Sequence, residues 1–230
     1  FPYNLKFEGC GGSSGSSGSL IIENSKFNVN NILIRNLDSP YFNLKSLYGG
    51  LNVINSNFSF NKLRIESSKS EDGVNFINSK IKGNLIESYD IRSDAIDSDY
   101  SNISLNKVKC DSVLNDCLDT SYSNVRVNNL IASNIGDKAI SAGEESQVIL
   151  NDVKVEKSEI GIAVKDSSNI LLGNYLDEDV KIPIASYIKK FELGSPTLKI
   201  RNLNSKNFLN SLISQDSFVF VSNERINGNY

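Results

Sequence analysis

Two similar stretches of the chain carry the residue types best suited to chemistry. They read SDAIDSDYSNISLN, from Ser93 to Asn106, and NDCLDTSYSNVRVN, from Asn115 to Asn128. Their candidate carboxylates and aromatic rings are Asp94, Asp97, Asp99, Tyr100, Asp116, Asp119 and Tyr122. Grouped carboxylates bind Ca²⁺ through oxygen, or serve as acid and base in glycan hydrolysis. Aspartate before a strand is also ordinary turn chemistry, and we favour that simpler interpretation.

Composition excludes several kinds of function. The 230 residues carry a net charge of −3, which predicts no nucleic-acid partner. No apolar run approaches the roughly 20 residues of a membrane span, so none is predicted. Histidine is absent, which removes the commonest general base, the commonest zinc ligand and any Ser-His-Asp triad.

The three cysteines do not suggest a disulfide scaffold. Their number is odd, so at least one thiol lacks a partner within the chain. Cys110 and Cys117 fall at positions that other repeats fill with small apolar residues. We therefore interpret both as core residues and not as ligands or nucleophiles.

A repeat accounts for most of the sequence. Aligned serines recur every 22 or 23 residues from Ser56 onward, after a first interval of 31 that predicts one coil with a loop insertion. The aligned serines are Ser25, Ser56, Ser79, Ser101, Ser123, Ser146 and Ser168. Four apolar rows follow at alternate positions, and an asparagine row interrupts them at Asn30, Asn61, Asn84, Asn106, Asn128 and Asn151.

Alternation of period two predicts strands, and the asparagine between two alternating stretches predicts a turn, where Asn tolerates a left-handed backbone. A period near 22 residues fits one coil of a parallel β-solenoid with about three short strands. Coils then stack at ~4.8 Å, so the asparagines should form a hydrogen-bonded ladder and the apolar rows a continuous core.

With this repeat, the chain resembles the right-handed parallel β-helix superfamily of pectate lyases, polygalacturonases and phage tailspikes. The stretches SDAIDSDYS, NDCLDTSYS and GDKAISAGEES are most similar to β-helical segments of bacterial surface proteins, some linked to CotH-like kinase domains. The resemblance implies an all-β, right-handed parallel β-helix with irregular caps. It also implies that catalytic aspartates, in an enzyme of this kind, would be Asp94 and Asp116, with Asp119 beside them. The histidine and the Arg-x-Lys motif of polygalacturonases have no counterpart here.

Two binding sites are possible within the same coils. Tyr100 and Tyr122 share a row one coil apart, where they would form either a sugar platform or an aromatic ladder that stabilises the coils. If Ca²⁺ is the cofactor, Asp97, Asp99 and Asp119 are the expected ligands. Whether Asp97 and Asp119 point inward or outward stays open at this point, and the alternative is that no cofactor is bound.

The sequence divides into three parts. Residues 1–19 are expected to form an N-terminal cap with a flexible Gly/Ser loop, Gly11–Ser19, which is either natural or an engineered linker. Residues 20–174 form the β-helix coils. Residues 175–230 form degenerate terminal coils, with strands near 195–200 and 216–223, and a C-terminal cap.

Two functions remain open. The favoured one is a non-catalytic scaffold or glycan-binding module of a larger secreted or cell-surface bacterial protein, with polysaccharide and neighbouring domains of the parent protein as partners. The alternative is a polysaccharide lyase or glycoside hydrolase with its site around Asp94 and Asp116. A trimeric tailspike-like fibre is disfavoured, because the outward positions are mostly polar.

Overall fold

The computed structural model describes residues 4–8, 20–37 and 49–230, so the Gly11–Ser19 stretch and most of the predicted loop insertion lie outside the described residues. It is a parallel β-solenoid of about 8 turns. In chain order the strands are β1 Asn4–Glu8, β2 Leu20–Glu23, β3 Lys26–Arg35, β4 Gly49–Ile54, β5 Asn57–Ser68, β6 Asp72–Ile77, β7 Lys80–Ile91, β8 Asp94–Asp99, β9 Asn102–Val113, β10 Leu118–Ser121, β11 Asn124–Gly143, β12 Gln147–Lys165, β13 Asn169–Tyr187, β14 Thr197–Asn204, β15 Leu212–Ile213, β16 Phe218–Val221 and β17 Glu224–Ile226. One short 3₁₀ turn lies at Phe208–Asn210.

The register of the strands confirms the predicted coil. A typical coil has a long strand that bends once, such as β5, followed by a short strand, such as β6. Phe58 pairs with Ile81, and Ile81 with Ile103, so residues 22 or 23 apart lie directly above one another. All four predicted apolar rows follow this register, and their side chains form one continuous buried core.

The asparagine row forms the predicted ladder, but without the predicted backbone. Asn84 Nδ2 donates to Asn61 Oδ1 at 3.3 Å, and Asn106 Nδ2 donates to Asn84 Oδ1 at 3.0 Å. The expectation of a left-handed turn at these asparagines is wrong, because positive φ angles occur at two other corners of the coil. One corner contains Asn36, Ser67, Asp90, Ser112, Asn134, Lys157 and Asp179, and the other contains Asn24, Asn55, Asn78, Tyr100, Tyr122, Glu145 and Ser167.

The serine row forms a second ladder, inside the wall of the solenoid. The backbone N–H of Ser79 donates to Ser101 Oγ at 3.0 Å, and Ser101 N–H donates to Ser123 Oγ at 3.0 Å. The hydroxyls of Ser56, Ser79, Ser101 and Ser123 in turn donate to carbonyls, as Ser101 Oγ does to Phe76 O at 3.0 Å. Serine suits this row because its small hydroxyl accepts the backbone N–H of the preceding coil, at a buried position that little water can reach.

Parallel pairing continues beyond residues 20–174 in both directions. β1 pairs in parallel with β3, and β13, β14 and β16 pair in parallel with one another in that order. The predicted strands near 195–200 and 216–223 correspond to β14 and β16. β17 closes the end by pairing antiparallel with β16. Across the described residues, no helix is long and apolar enough to span a bilayer.

The cysteine interpretation needs one correction. Cys110 and Cys117 are both buried in the core, as expected for small apolar positions. They are also joined by a disulfide bond, with 5.8 Å between their Cα atoms. An odd number of cysteines shows that at least one thiol is unpaired, but it does not exclude a disulfide between the other two.

Candidate functional site

The short strands carry aspartates on their outer side. Asp97 lies between Ile96 and Ser98 on β8, and both of these are fully buried. Because successive side chains of a strand alternate between its faces, Asp97 and Asp99 point outward. Asp97 pairs with Asp119 of the next coil, which therefore points outward too. We call the six carboxylates Asp72, Asp94, Asp97, Asp99, Asp116 and Asp119 the acidic face.

Two of the aligned rows differ from the sequence-based alignment. Counting four residues back from the aligned Ser146 gives Ala142 as the partner of Asp119, but Asp119 pairs with Ser141. Likewise, counting two residues back from Ser146 gives Glu144, but Asp99 is followed in its row by Ser121 and Gly143. The cause is a two-residue turn at Glu144 and Glu145 that replaces the single left-handed residue of earlier coils.

Asn75 links the buried Asp72 to the half-buried Asp97 at one end of the acidic face. Its Nδ2 donates to Asp72 Oδ2 and to Asp97 Oδ2, each at 3.1 Å. Burial, followed by repulsion from Asp94, raises the pKa of Asp72 to about 8. Burial, followed by repulsion from Asp72 and Asp99, raises the pKa of Asp97 to about 9. These two carboxyl groups are therefore mostly protonated near neutral pH.

Asp94 and Asp116 serve as turn residues. Asp94 Oδ1 accepts the backbone N–H of Asp116 at 2.8 Å and Asn115 Nδ2 at 2.6 Å. Asp116 Oδ1 accepts the backbone N–H of Lys138 at 2.9 Å, and the Lys138 ammonium lies 3.3 Å away. Burial raises the pKa of both carboxyl groups, that of Asp116 to about 7 although Lys138 acts to lower it. The sequence analysis did not identify Lys138 as part of this site. Its position, 22 residues after Asp116, places it one coil further along in the same row.

Tyr100 and Tyr122 form a stacked pair at a corner of the solenoid. Their ring centroids are 4.9 Å apart and the rings are 3° from parallel. The side chains are 60% and 37% exposed. Asn78 and Glu145 flank them in the left-handed row. A bulky residue with positive φ is uncommon, and here Tyr100 and Tyr122 on successive coils both have one, at φ 51° and 50°.

A shallow groove of about 270 Å³ lies beside Tyr100. It is lined by Asn55, Ser56, Asn57, Asn78, Ser79, Lys80, Tyr100 and Asn102. Asn78 Nδ2 donates to Asn55 Oδ1 at 2.8 Å, so this part of the amide row is ordered by its own hydrogen bonds. An aromatic ring next to amide groups offers both an apolar surface and hydrogen-bonding groups to one ligand.

The predicted sites differ in their geometric support. The structure brings Tyr100 and Tyr122 together and places Asp97, Asp99 and Asp119 on the same outer face. Among the described residues, no group of three His, Cys, Asp or Glu side chains is arranged to hold a metal ion. The calcium site at Asp97, Asp99 and Asp119 therefore stays a prediction, as does catalysis by Asp94, Asp116 and Asp119.

Comparison with known proteins adds no evidence on function, so the arguments below depend on the fold and on the geometry of the site. No protein-family model matches the chain, and no curated protein or solved structure matches it at a significant level.

Proposed function

We propose that this chain is a non-catalytic, right-handed β-helical scaffold of the pectate-lyase-like kind that binds glycans through Tyr100 and Tyr122. The carrying observation is the stacked, exposed pair with its neighbouring amide groove. Sugar rings present apolar C–H faces, which aromatic rings cover, and hydroxyl groups, which amides bind. The corner is held by backbone bonds, since Tyr100 N–H donates to Ser121 O at 3.0 Å. A rigid platform loses little conformational entropy on binding.

The proposal includes a secreted or cell-surface location in a larger bacterial protein, where the solenoid acts as a spacer between domains. The buried disulfide between Cys110 and Cys117 supports this location, because disulfides persist mainly in oxidising compartments. The stretches that resemble bacterial surface proteins, including those linked to CotH-like kinase domains, support the same proposal. Polysaccharide and the neighbouring domains of the parent protein are the proposed partners.

A glycan array with matched variants tests the binding function. Tyr100→Asn and Tyr122→Asn remove the rings but introduce the residue that Asn55 and Asn78 already provide in this left-handed row. Asparagine tolerates that backbone better than tyrosine, so the fold should be retained. Each substitution should weaken glycan binding about tenfold, a loss of about 1.4 kcal/mol.

Phe191→Ala is the control, because Phe191 is an aromatic residue with 96% exposure outside the pair. Thermal unfolding of each variant establishes that the coil is intact. The proposal fails if the wild-type array shows no binding, or if the double tyrosine variant binds as tightly as the Phe191 control.

The alternative is a polysaccharide lyase or glycoside hydrolase. The observation in its favour is the pKa of Asp116, which burial raises to about 7, beside the Asp94 carboxylate. A general acid works best when its pKa lies near the working pH. Release of reducing ends or unsaturated sugars from a polysaccharide panel, abolished by Asp116→Asn, would establish this activity, and release unchanged by that substitution would exclude Asp116 as its acid.

A further inference from the structure

The strand segments between the tyrosine corner and the asparagine row form one outer face of the solenoid. Buried residues such as Val125 and Val127 alternate there with outward ones, which therefore stack in three rows. The rows run from Lys26 to Phe218, from Asn28 to Phe220 and from Asn30 to Arg201. We call these three rows the basic face, because every charged side chain in them is a cation. The cations are Lys26, Lys80, Lys82, Arg126, Lys199 and Arg201.

The cations of the basic face are exposed and carry uncompensated charge. Within the described residues, no carboxylate forms an ion pair with Lys80, Lys82 or Arg126. Asp152 lies in the row that adjoins the asparagine ladder, and its Oδ1 accepts Asn174 Nδ2 at 2.6 Å. The chain as a whole has a net charge of −3, so its positive charge is concentrated on this face by the fold.

The positive charges are spread along the solenoid and do not converge on one point. Lys26 and Lys80 lie two coils apart in one row, which is ~10 Å. Lys82 and Arg126 lie two coils apart in the next row, at the same spacing. A single small anion would need several donors around it, whereas this spacing suits an extended surface that carries many anions.

Apolar side chains share the basic face in its C-terminal coils. Ile149 and Leu171 are consecutive in the middle row, which ends at Phe220, and Phe218 ends the row beside it. Leu171 and Phe218 are 46% and 41% exposed. Ile149, Leu171 and Phe220 line a groove of about 750 Å³ together with Lys199, whose ammonium lies 5.7 Å from the centroid of the Phe220 ring. The face thus combines free cations with unpacked apolar groups.

This combination matches the surface of an anionic bilayer better than a soluble polyanion. Anionic headgroups attract lysine and arginine side chains that lie near the bilayer surface. Aromatic and aliphatic side chains beside them enter the boundary between headgroups and acyl chains. A soluble polyanionic chain offers the charges but no apolar region in which Leu171 and Phe218 could be buried.

We propose that the basic face binds the surface of an anionic lipid bilayer, with the axis of the solenoid parallel to it. The cations contact the phosphate headgroups along several coils, and Leu171, Phe218 and Phe220 enter the interface at the C-terminal end. This interaction goes beyond the proposed glycan binding. Lys80 also lines the groove beside Tyr100, so a glycan on the tyrosine pair would lie at the edge of the bound bilayer.

Sedimentation with lipid vesicles tests the proposal. One set of vesicles contains phosphatidylcholine alone, and the other contains equal parts of phosphatidylcholine and phosphatidylglycerol. At low ionic strength the wild-type protein should bind the anionic vesicles at least about tenfold more tightly than the neutral ones. Added salt should reduce that preference, because the headgroup attraction is screened.

Charge variants assign the preference to the basic face. The triple variant is Lys80→Gln, Lys82→Gln and Arg126→Gln. The control variant removes the same charge at exposed positions outside the face, with Lys69→Gln, Lys157→Gln and Lys206→Gln. The first should bind anionic vesicles at least about tenfold more weakly than wild type, and the control should lose much less. Thermal unfolding of both variants establishes that the coils are intact.

Apolar variants separate a bilayer from a soluble polyanion. Leu171→Gln with Phe218→Gln should weaken binding to anionic vesicles about tenfold and leave its salt dependence in place. Phe191→Gln with Leu209→Gln is the control, because these side chains are 96% and 93% exposed outside the basic face. Neither double variant should change the binding of soluble dextran sulfate.

The proposal is overturned by equal binding of neutral and anionic vesicles, by no binding of either, or by equal losses in the two charge variants. Tighter binding of dextran sulfate than of the vesicles, with no effect of the Leu171 and Phe218 substitutions, would assign the face to a soluble polyanion instead. The glycan array reads the tyrosine substitutions without vesicles, so either proposal can fail while the other stands.

Discussion

Replacing Asp97 by asparagine should stabilise the protein at neutral and alkaline pH. Burial and the repulsion from Asp72 and Asp99 raise the pKa of Asp97 to about 9, against about 3.9 in an unfolded chain. The folded state therefore binds this proton more tightly than the unfolded state does. Stability is then greatest below about pH 4 and falls as the pH rises towards 9, since deprotonation favours the unfolded chain. Asparagine removes the charge and extends the row that already contains Asn52 and Asn75.

The size of the effect follows from the coil spacing. Asp119 pairs with Asp97 one coil away, at roughly 5 Å. Two carboxylates at that separation repel by about 3 kcal/mol when the effective dielectric constant is about 20. Both side chains are partly exposed, so solvent screening reduces the expected gain to about 1–2 kcal/mol at pH 9. For a chain of this size that gain raises Tm by a few degrees.

Thermal unfolding followed by circular dichroism at several pH values from 5 to 9 measures this effect. The wild-type Tm should fall across the range, and the Tm of Asp97→Asn should fall less, so the two curves separate as the pH rises. Asp216→Asn serves as the control and should follow the wild-type curve, because Asp216 is exposed and lies outside the acidic face. Parallel curves for wild type and Asp97→Asn, or a less stable variant at pH 9, would refute the reasoning.

Two further predictions concern the ladders and the core. Ser101→Ala removes the acceptor of the Ser79 N–H and should lower the free energy of unfolding by about 1–3 kcal/mol in urea denaturation. Ser104→Ala, at an exposed position of β9, the strand that follows Ser101, should change it by less than about 0.5 kcal/mol. Equal effects of the two serine substitutions would mean that the ladder adds nothing to stability. Gly83→Ala should destabilise the protein by about 1–3 kcal/mol, because its new Cβ would lie 2.3 Å from the buried ring of Phe60, and adding Phe60→Leu should recover part of that loss. Strictly additive losses in the double variant would contradict this explanation.

The sequence by itself determined the coil. Its serine, asparagine and apolar rows all occur with one period, and in a stacked solenoid equal positions must lie above one another. The register of Phe58, Ile81 and Ile103 follows from counting alone. The sequence also predicts that Tyr100 and Tyr122 lie next to each other, because both occupy one row of adjacent coils. The loop insertion before Ser56 was inferred in the same way, from an interval that exceeds the period.

The tertiary structure determined several features that the repeat period does not predict. A period assigns a residue to a row, but whether Asp97 faces the core or the solvent depends on the alternation within its own short strand, where Ile96 and Ser98 are buried. The two-residue turn at Glu144 and Glu145 displaces by one residue the rows counted back from Ser146, and the backbone angles show where the extra residue lies. The disulfide joins Cys110 and Cys117 across a corner of one coil. The raised pKa of Asp97 arises from burial and from carboxylates on three coils, and two of these, Asp72 and Asp119, are distant in sequence and close only because the coils stack.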